Sequence, residues 1–374
     1  MVFHNRPILL YAVAASLFLM VCRASSAASD TISVASPDQR TRVLVSLGEK
    51  LCYSVVHDGK VLVAPSALSM EIDGGAVLGA KPRLVGRETG SRNETVKTFY
   101  GKSAEIRDRY NETALAFEGN YSLVVRAYDE GVAFRFVTAL PGDITVKNEE
   151  CSFAFAEDCT AYMIAGDRGR FPSYEGTYLH EPISRMDPRC VAVLPVTVET
   201  PGGPLVSIAE SDLADYPGMY VSLLGRHGLR GVFRSYPSER DTQEQLRSLG
   251  RGNNDFIAKT KGRRGFPWRI VMISESAADL LNNELVYLLA PEPAKDADFS
   301  WVKPGNIIGW WDLAPKPKDP LSTYAPALTG VDFESGMNYE TFKHYLDFAA
   351  EHNIDYVNID AGWSDWEDLS KVNP

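Results

Sequence analysis

The chain has 374 residues, of which 45% are hydrophobic and 23% charged, and a formal net charge of −11. That length and apolar content are enough for two or more domains with large cores, which excludes a disordered chain. The acidic balance excludes binding along a phosphate backbone, so nucleic acid is not a partner and uncharged or cationic ligands fit better.

The first segment, MVFHNRPILLYAVAASLFLMVCRASSAAS, carries His4 and Arg6, an apolar run from Ile8 to Cys22 and small residues from Ala24 to Ala28. This is the order of a secretory signal cleaved after Ala27 or Ala28, so residues 1–28 read as a signal peptide. The expected location is periplasmic or extracellular, with no stable membrane span after cleavage. An uncleaved anchor and a lipoprotein signal at Cys22 are the rival readings, and Met20-Val21 matches a lipobox poorly.

Four cysteines remain after cleavage, Cys52, Cys151, Cys159 and Cys190, and none has the CxxC spacing of a metal site. A Cys151–Cys159 bridge across a hairpin and buried free thiols are both open. Asn93, Asn111 and Asn120 head Asn-x-Ser/Thr sequons.

Residues 29–295 read as one large antiparallel β-sandwich of around fifteen strands or more. Runs such as TRVLVSLG, LCYSVVHDGKVLVAP and ALAFEGNYSLVVRAYDEGVAFRFVTAL alternate with period two, and turns fall at His57-Asp58-Gly59 and Glu118-Gly119-Asn120. DITVKNEECSFAFA reads as a further strand. Arg240–Lys261 is a polar excursion, Ser274 onward opens as a short capped turn before a strand LVYLLA, and Pro291 to Asp298 is a linker.

Beyond the linker the period changes. FSWVKPGNIIGWW is a strand, Asn338 an N-cap, Phe342, Tyr345, Leu346 and Ala349 one helical stripe, and Tyr-Val-Asn-Ile from Tyr356 a second strand. Strand, helix, strand is the unit of a (β/α)₈ barrel, so residues 296–374 read as the start of one, incomplete because such a barrel needs about 250 residues.

Chemistry in a parallel unit sits past the carboxyl ends of its strands. Trp311 follows the first strand and offers a stacking surface for a sugar ring, with core packing as the plain alternative. Asp360 and Trp363 follow the second, where a carboxylate can bind hydroxyls or simply cap a helix. Glu210, in VSIAESDLADYPGM, ends a sandwich strand in a loop rich in carboxylates, suited to oxygen ligation of a hard cation or to plain solvation.

In shared order, SVVHDGKVLVAPSALSM, YNETALAFE, YDEGVAFRF, ESDLADYPGMY, GFPWRIVMI, ADLLNNELVYLL and FSWVKPGNIIGWW resemble glycoside hydrolase family 97. The resemblance implies an N-terminal β-super-sandwich followed by a catalytic barrel. It also implies an exo-acting α-glucosidase or α-galactosidase that is calcium-dependent and acts on an oligosaccharide or α-glycoside substrate. It makes Glu210 the expected Ca²⁺ ligand and Trp311, Asp360 and Trp363 the expected substrate contacts. The catalytic carboxylates are expected beyond residue 374, leaving the chain inactive alone. Ala361 stands where the family often has an acidic residue. A non-catalytic carbohydrate-binding sandwich and a pseudogene product are the alternatives, and oligomeric state stays open.

Overall fold

In a computed structural model the described residues are 30–98, 101–166, 172, 176–236, 254–294, 296–309, 328–336, 338–359, 364 and 370–371. Strands β1 (Asp30–Ala35), β2 (Thr41–Leu47), β3 (Leu51–His57) and β4 (Lys60–Ile72) form an antiparallel meander. Every second side chain of β3 is buried, as a sheet with one face on a core requires. Asp58 and Gly59, with φ of 47° and 79°, make the tight β3–β4 turn that the sequence predicts.

β5 (Val77–Leu78), β6 (Leu84–Lys97), β7 (Glu105–Phe117), β8 (Tyr121–Tyr128) and β9 (Gly131–Ala154) follow. β9 is the long strand of the fold. Its first half pairs with β8 and its second half with β4, so it takes part in both layers. FRFVTAL and DITVKNEECSFAFA are therefore one strand and not two. Pro141 and Gly142 lie in a bulge, with a register shift opposite at Lys261–Arg263, and pairing continues on both sides of it.

β10 (Thr160–Met163), β11 (Ala165–Gly166), β12 (Leu179–Pro182), β13 (Val191–Val193), β14 (Val196–Glu199), β15 (Leu205–Ser211), β16 (Met219–Leu224), β17 (Gly228–Phe233), β18 (Ala258–Gly265) and β19 (Trp268–Ser274) complete nineteen linked strands among the described residues. One layer runs β6-β7-β8-β9-β19-β15-β14-β10-β12. The other continues from the second half of β9 through β17, β16, β13 and β11. Between them lies the main core, with Tyr53, Leu68, Phe134, Phe153, Ile208 and Val271. β18 begins inside the segment read as a polar excursion, of which residues 240–253 lie outside the described residues. Cys52, Cys151, Cys159 and Cys190 are unbridged.

After β19, Ser276 caps α1 (Ala277–Leu280) through its Oγ, which accepts from the Asp279 amide at 3.2 Å. The run LVYLLA is helical, as α2 (Leu285–Leu288), and not a strand. A short apolar run is ambiguous by period alone, and burial of Leu285 and Leu289, four apart, against Trp268, Ile270 and Met272 decides it. β20 (Ile307–Gly309) and β21 (Tyr356–Asn358) pair in parallel, joined through α3 (Tyr339–Glu351). Asn338 caps α3, its Oδ1 accepting from the Thr341 amide at 2.9 Å. Of the predicted stripe Ala349 is buried, Phe342 and Tyr345 are half-buried and Leu346 is exposed. No described helix is long and apolar enough to cross a membrane.

At Gly131 (φ 153°) a Cβ would lie 2.5 Å from the Val271 carbonyl oxygen and 2.8 Å from Leu285 Cδ1. Gly131→Ala should lower unfolding free energy in a urea titration by about 2–4 kcal/mol, and a change within about 0.5 kcal/mol would contradict this packing. Burial, with help from Asp129 and Asp108, pushes the Glu130 carboxyl up to about 7. A raised carboxyl pKa gives stability that is present below the unfolded value and lost as pH rises through the folded one. Glu130→Gln should therefore gain about 1–3 kcal/mol at pH about 8 and almost nothing at pH about 4, and equal effects at both would dismiss the burial.

Candidate functional site

Trp311, Asp360 and Trp363 lie outside the described residues, as does Ala361. Glu210 is described, at the penultimate position of β15, directly opposite Arg269 of β19. Arg269 also pairs in register with Phe134 of β9, a core residue, so these side chains face the interior between the layers. Trp268, one residue earlier, faces the other way.

Glu210 accepts from Arg269 Nη1 at 2.5 Å and from the Met219 amide at 3.0 Å. Arg269 donates on its other side to Glu149 of β9, through Nε and Nη2, both at 2.8 Å. Tyr216 Oη donates to Glu149 Oε2 at 2.9 Å. The guanidinium carbon lies 5.1 Å from the Phe233 ring centroid. All three charged side chains are at most 9% exposed. The result is a buried Glu–Arg–Glu triad joining the layers, with a tyrosine and a backbone amide meeting the remaining acceptors.

Burial raises the Glu210 pKa, and the adjacent guanidinium opposes that rise without cancelling it. Arg269 stays protonated, because the two glutamates outweigh its own desolvation. Tyr216 is pushed well above the ordinary phenol value by burial, and then by the Glu149 charge beside it.

These surroundings do not fit a calcium ligand. Ca²⁺ takes roughly 6–8 oxygens at about 2.3–2.6 Å. Glu210 instead has a fixed cation on one oxygen. The cavity beside Glu149 and Arg269 measures about 10 Å³, room for about one water molecule. Arg135, which lines the same cavity, has a buried Nε without a partner that such a water would serve. Elsewhere His57, Asp58 and Glu275 place ligand atoms within 4.8 Å of one another, but the Arg40 guanidinium bridges both carboxylates and fills a cation's place.

Sequence reasoning passed over Arg269 and Glu149. The available signal was an arginine inside WRIVMIS, every residue of which is buried. A cation in a fully buried strand needs anions beside it.

Two family models match the chain, "Glycosyl-hydrolase 97 N-terminal" over residues 34–292 and "Glycoside hydrolase 97" over residues 310–373. The chain is 33% identical over 360 residues to a retaining alpha-galactosidase of Bacteroides thetaiotaomicron, covering 93% of this chain and 52% of that protein. It is 28% identical over 367 residues to a probable retaining alpha-galactosidase of Streptomyces bingchenggensis, covering 95% of this chain and 50% of that protein. A solved glycoside hydrolase family 97 enzyme from Pseudoalteromonas sp. strain K8, in complex with acarbose, superposes with a TM-score of 0.70 at 26% identity, covering 90% of this chain and 48% of that one. The chain thus spans about half the length of the relatives it matches. With both models matched in order, and the first alone over well more than half of its residues, the chain belongs to glycoside hydrolase family 97.

Proposed function

We propose that this chain serves an exo-acting α-glycosidase that hydrolyses terminal α-linked galactose in preference to glucose. The observation that carries this reading is the 33% identity with a retaining alpha-galactosidase, spread over 93% of the chain and not confined to one motif. The acarbose bound by the Pseudoalteromonas relative supports an oligosaccharide as the substrate class.

Glycoside hydrolysis needs two carboxyl groups flanking the bond, about 5–5.5 Å apart for retention. Glu149 and Glu210 are tied to one guanidinium in the core and are not such a pair. The reacting carboxylates are therefore assigned outside the described residues. Gly309 and Asn358 end β20 and β21 in register with one another. Trp311, Asp360 and Trp363 follow those ends in sequence and are proposed as substrate contacts, an aromatic surface for the sugar ring and a carboxylate for its hydroxyls. Continuation of β20, α3 and β21 into a (β/α)₈ barrel is part of the same proposal, as is export by the first 28 residues.

Calcium dependence enters on the family resemblance. Bound near the scissile bond, the ion would polarise the glycosidic oxygen or place the acid. Its ligands are sought among residues other than Glu210.

A protein that joins this chain to the reacting carboxylates should release p-nitrophenol from the α-galactoside at least about ten-fold faster than from the α-glucoside, a difference of about 1.4 kcal/mol in transition-state binding. No release from either substrate would end the glycosidase reading. Residues 29–374 alone should release none, and turnover by that segment would refute the placement of the carboxylates. EDTA should abolish turnover and added calcium restore it. Full activity after exhaustive chelation would remove the ion from the proposal.

A further inference from the structure

The loop between β15 and β16 reads Asp212-Leu213-Ala214-Asp215-Tyr216-Pro217-Gly218. Asp212 and Asp215 hold φ of 61° and 56°. Left-handed backbone at a non-glycine residue costs about 1 kcal/mol or more and persists only where surrounding contacts over-determine it. Here they do. Arg135 Nη1 lies 3.2 Å from Asp212 Oδ2, and Arg264 donates through Nη2 to the Ala214 carbonyl at 2.8 Å. Tyr216 is anchored on Glu149 and the Met219 amide on Glu210, the two arms of the Arg269 triad. The entry and the exit of the loop thus meet on one guanidinium.

Gly218 shows how closely this is fitted, since a Cβ there would stand 3.3 Å from Glu210 Oε1. The tip keeps its side chains exposed while Arg264 holds its Ala214 and Asp215 carbonyls: Leu213 is 41% exposed, and Ala214 and Asp215 are exposed beside it.

We propose that Glu210 is a positioning residue and not a calcium ligand: with Arg269 and Glu149 it clamps the Asp212–Gly218 loop from within the sandwich and keeps the Leu213–Asp215 tip in one conformation. A tip held this way loses little conformational freedom when it makes contacts. The clamp stands on the triad's own geometry and does not depend on which glycoside is cleaved.

Hydrogen exchange on the full chain, in EDTA and in excess calcium, separates clamp from ligand. The wild-type segment 211–220 should be equally protected in both media. Glu210→Gln and Arg269→Lys, which keeps the charge but loses the fork, should each speed exchange there by about ten-fold or more, again in both media. Segment 41–57, in β2 and β3, should not change in either variant, so that a general loss of stability is told apart from release of the loop. Two results would overturn the proposal: wild-type protection that appears only with calcium, or an Arg269→Lys loop that exchanges like wild type. Both rest on measurements that do not require Glu210→Gln to fold.

Discussion

A guanidinium sealed in the core leaves the surrounding structure few alternatives. Arg269 is buried between two sheet layers and cannot be neutralised by losing its proton, so it must be met by anions wherever the chain folds. Glu149 comes from the second half of β9 and Glu210 from β15, so the pairing fixes one layer against the other. Two carboxylates against one cation leave a net negative charge in the core. The Tyr216 hydroxyl and the Met219 amide stabilise it, and both belong to the chain that returns from β15 to β16. The buried charge and the shape of that loop are thus a single problem with a single solution.

The same strand serves the opposite face of the layer. Trp268 turns outward, and its ring lies between two guanidinium groups, Arg126 at 4.7 Å and Arg135 at 4.3 Å from the centroid. Arg126 also covers Tyr110 at 4.2 Å and bonds Glu112 at 2.7 Å. Arg135 reaches Asp212. Adjacent residues of β19 therefore engage the 211–219 loop from both sides of the sheet, Arg269 from within and Trp268, by way of Arg135, from without. Helix α2 covers the rest of this outer face, and Ser211 Oγ donates to the Val286 carbonyl at 2.7 Å to tie it to the end of β15.

What could be read from the sequence follows from how local the deciding contacts are. The β3–β4 turn and the α3 N-cap were legible because Asp58-Gly59 and Asn338 act within a few residues of themselves. The continuity of β9 was not, because only its partners β4, β18 and β19 tell a bulge at Gly142 from a turn. Nor was α2, whose helical state is chosen by the apolar surface beneath Leu285 and Leu289. For Glu210 the sequence showed a carboxylate at a strand end and a family resemblance. Its charged partner Arg269 lies 59 residues away along the chain, and Glu149, which shares that guanidinium, lies on a third strand, where no local pattern reaches.

The parallel unit poses the opposite situation. β20, α3 and β21 leave Ile307 65% and Leu346 53% exposed, and Tyr356 is exposed as well. Parallel strands occur where both faces are covered, so these side chains call for neighbours other than the described residues. The sandwich, by contrast, pairs the charges of its buried triad internally and encloses its own core. Of the two regions the described sandwich is thus the one with a closed core, and the apolar faces still unmatched belong to the parallel unit. That division follows from burial and charge alone, and it agrees with placing substrate contacts past the ends of β20 and β21 while Glu210 keeps to the interior.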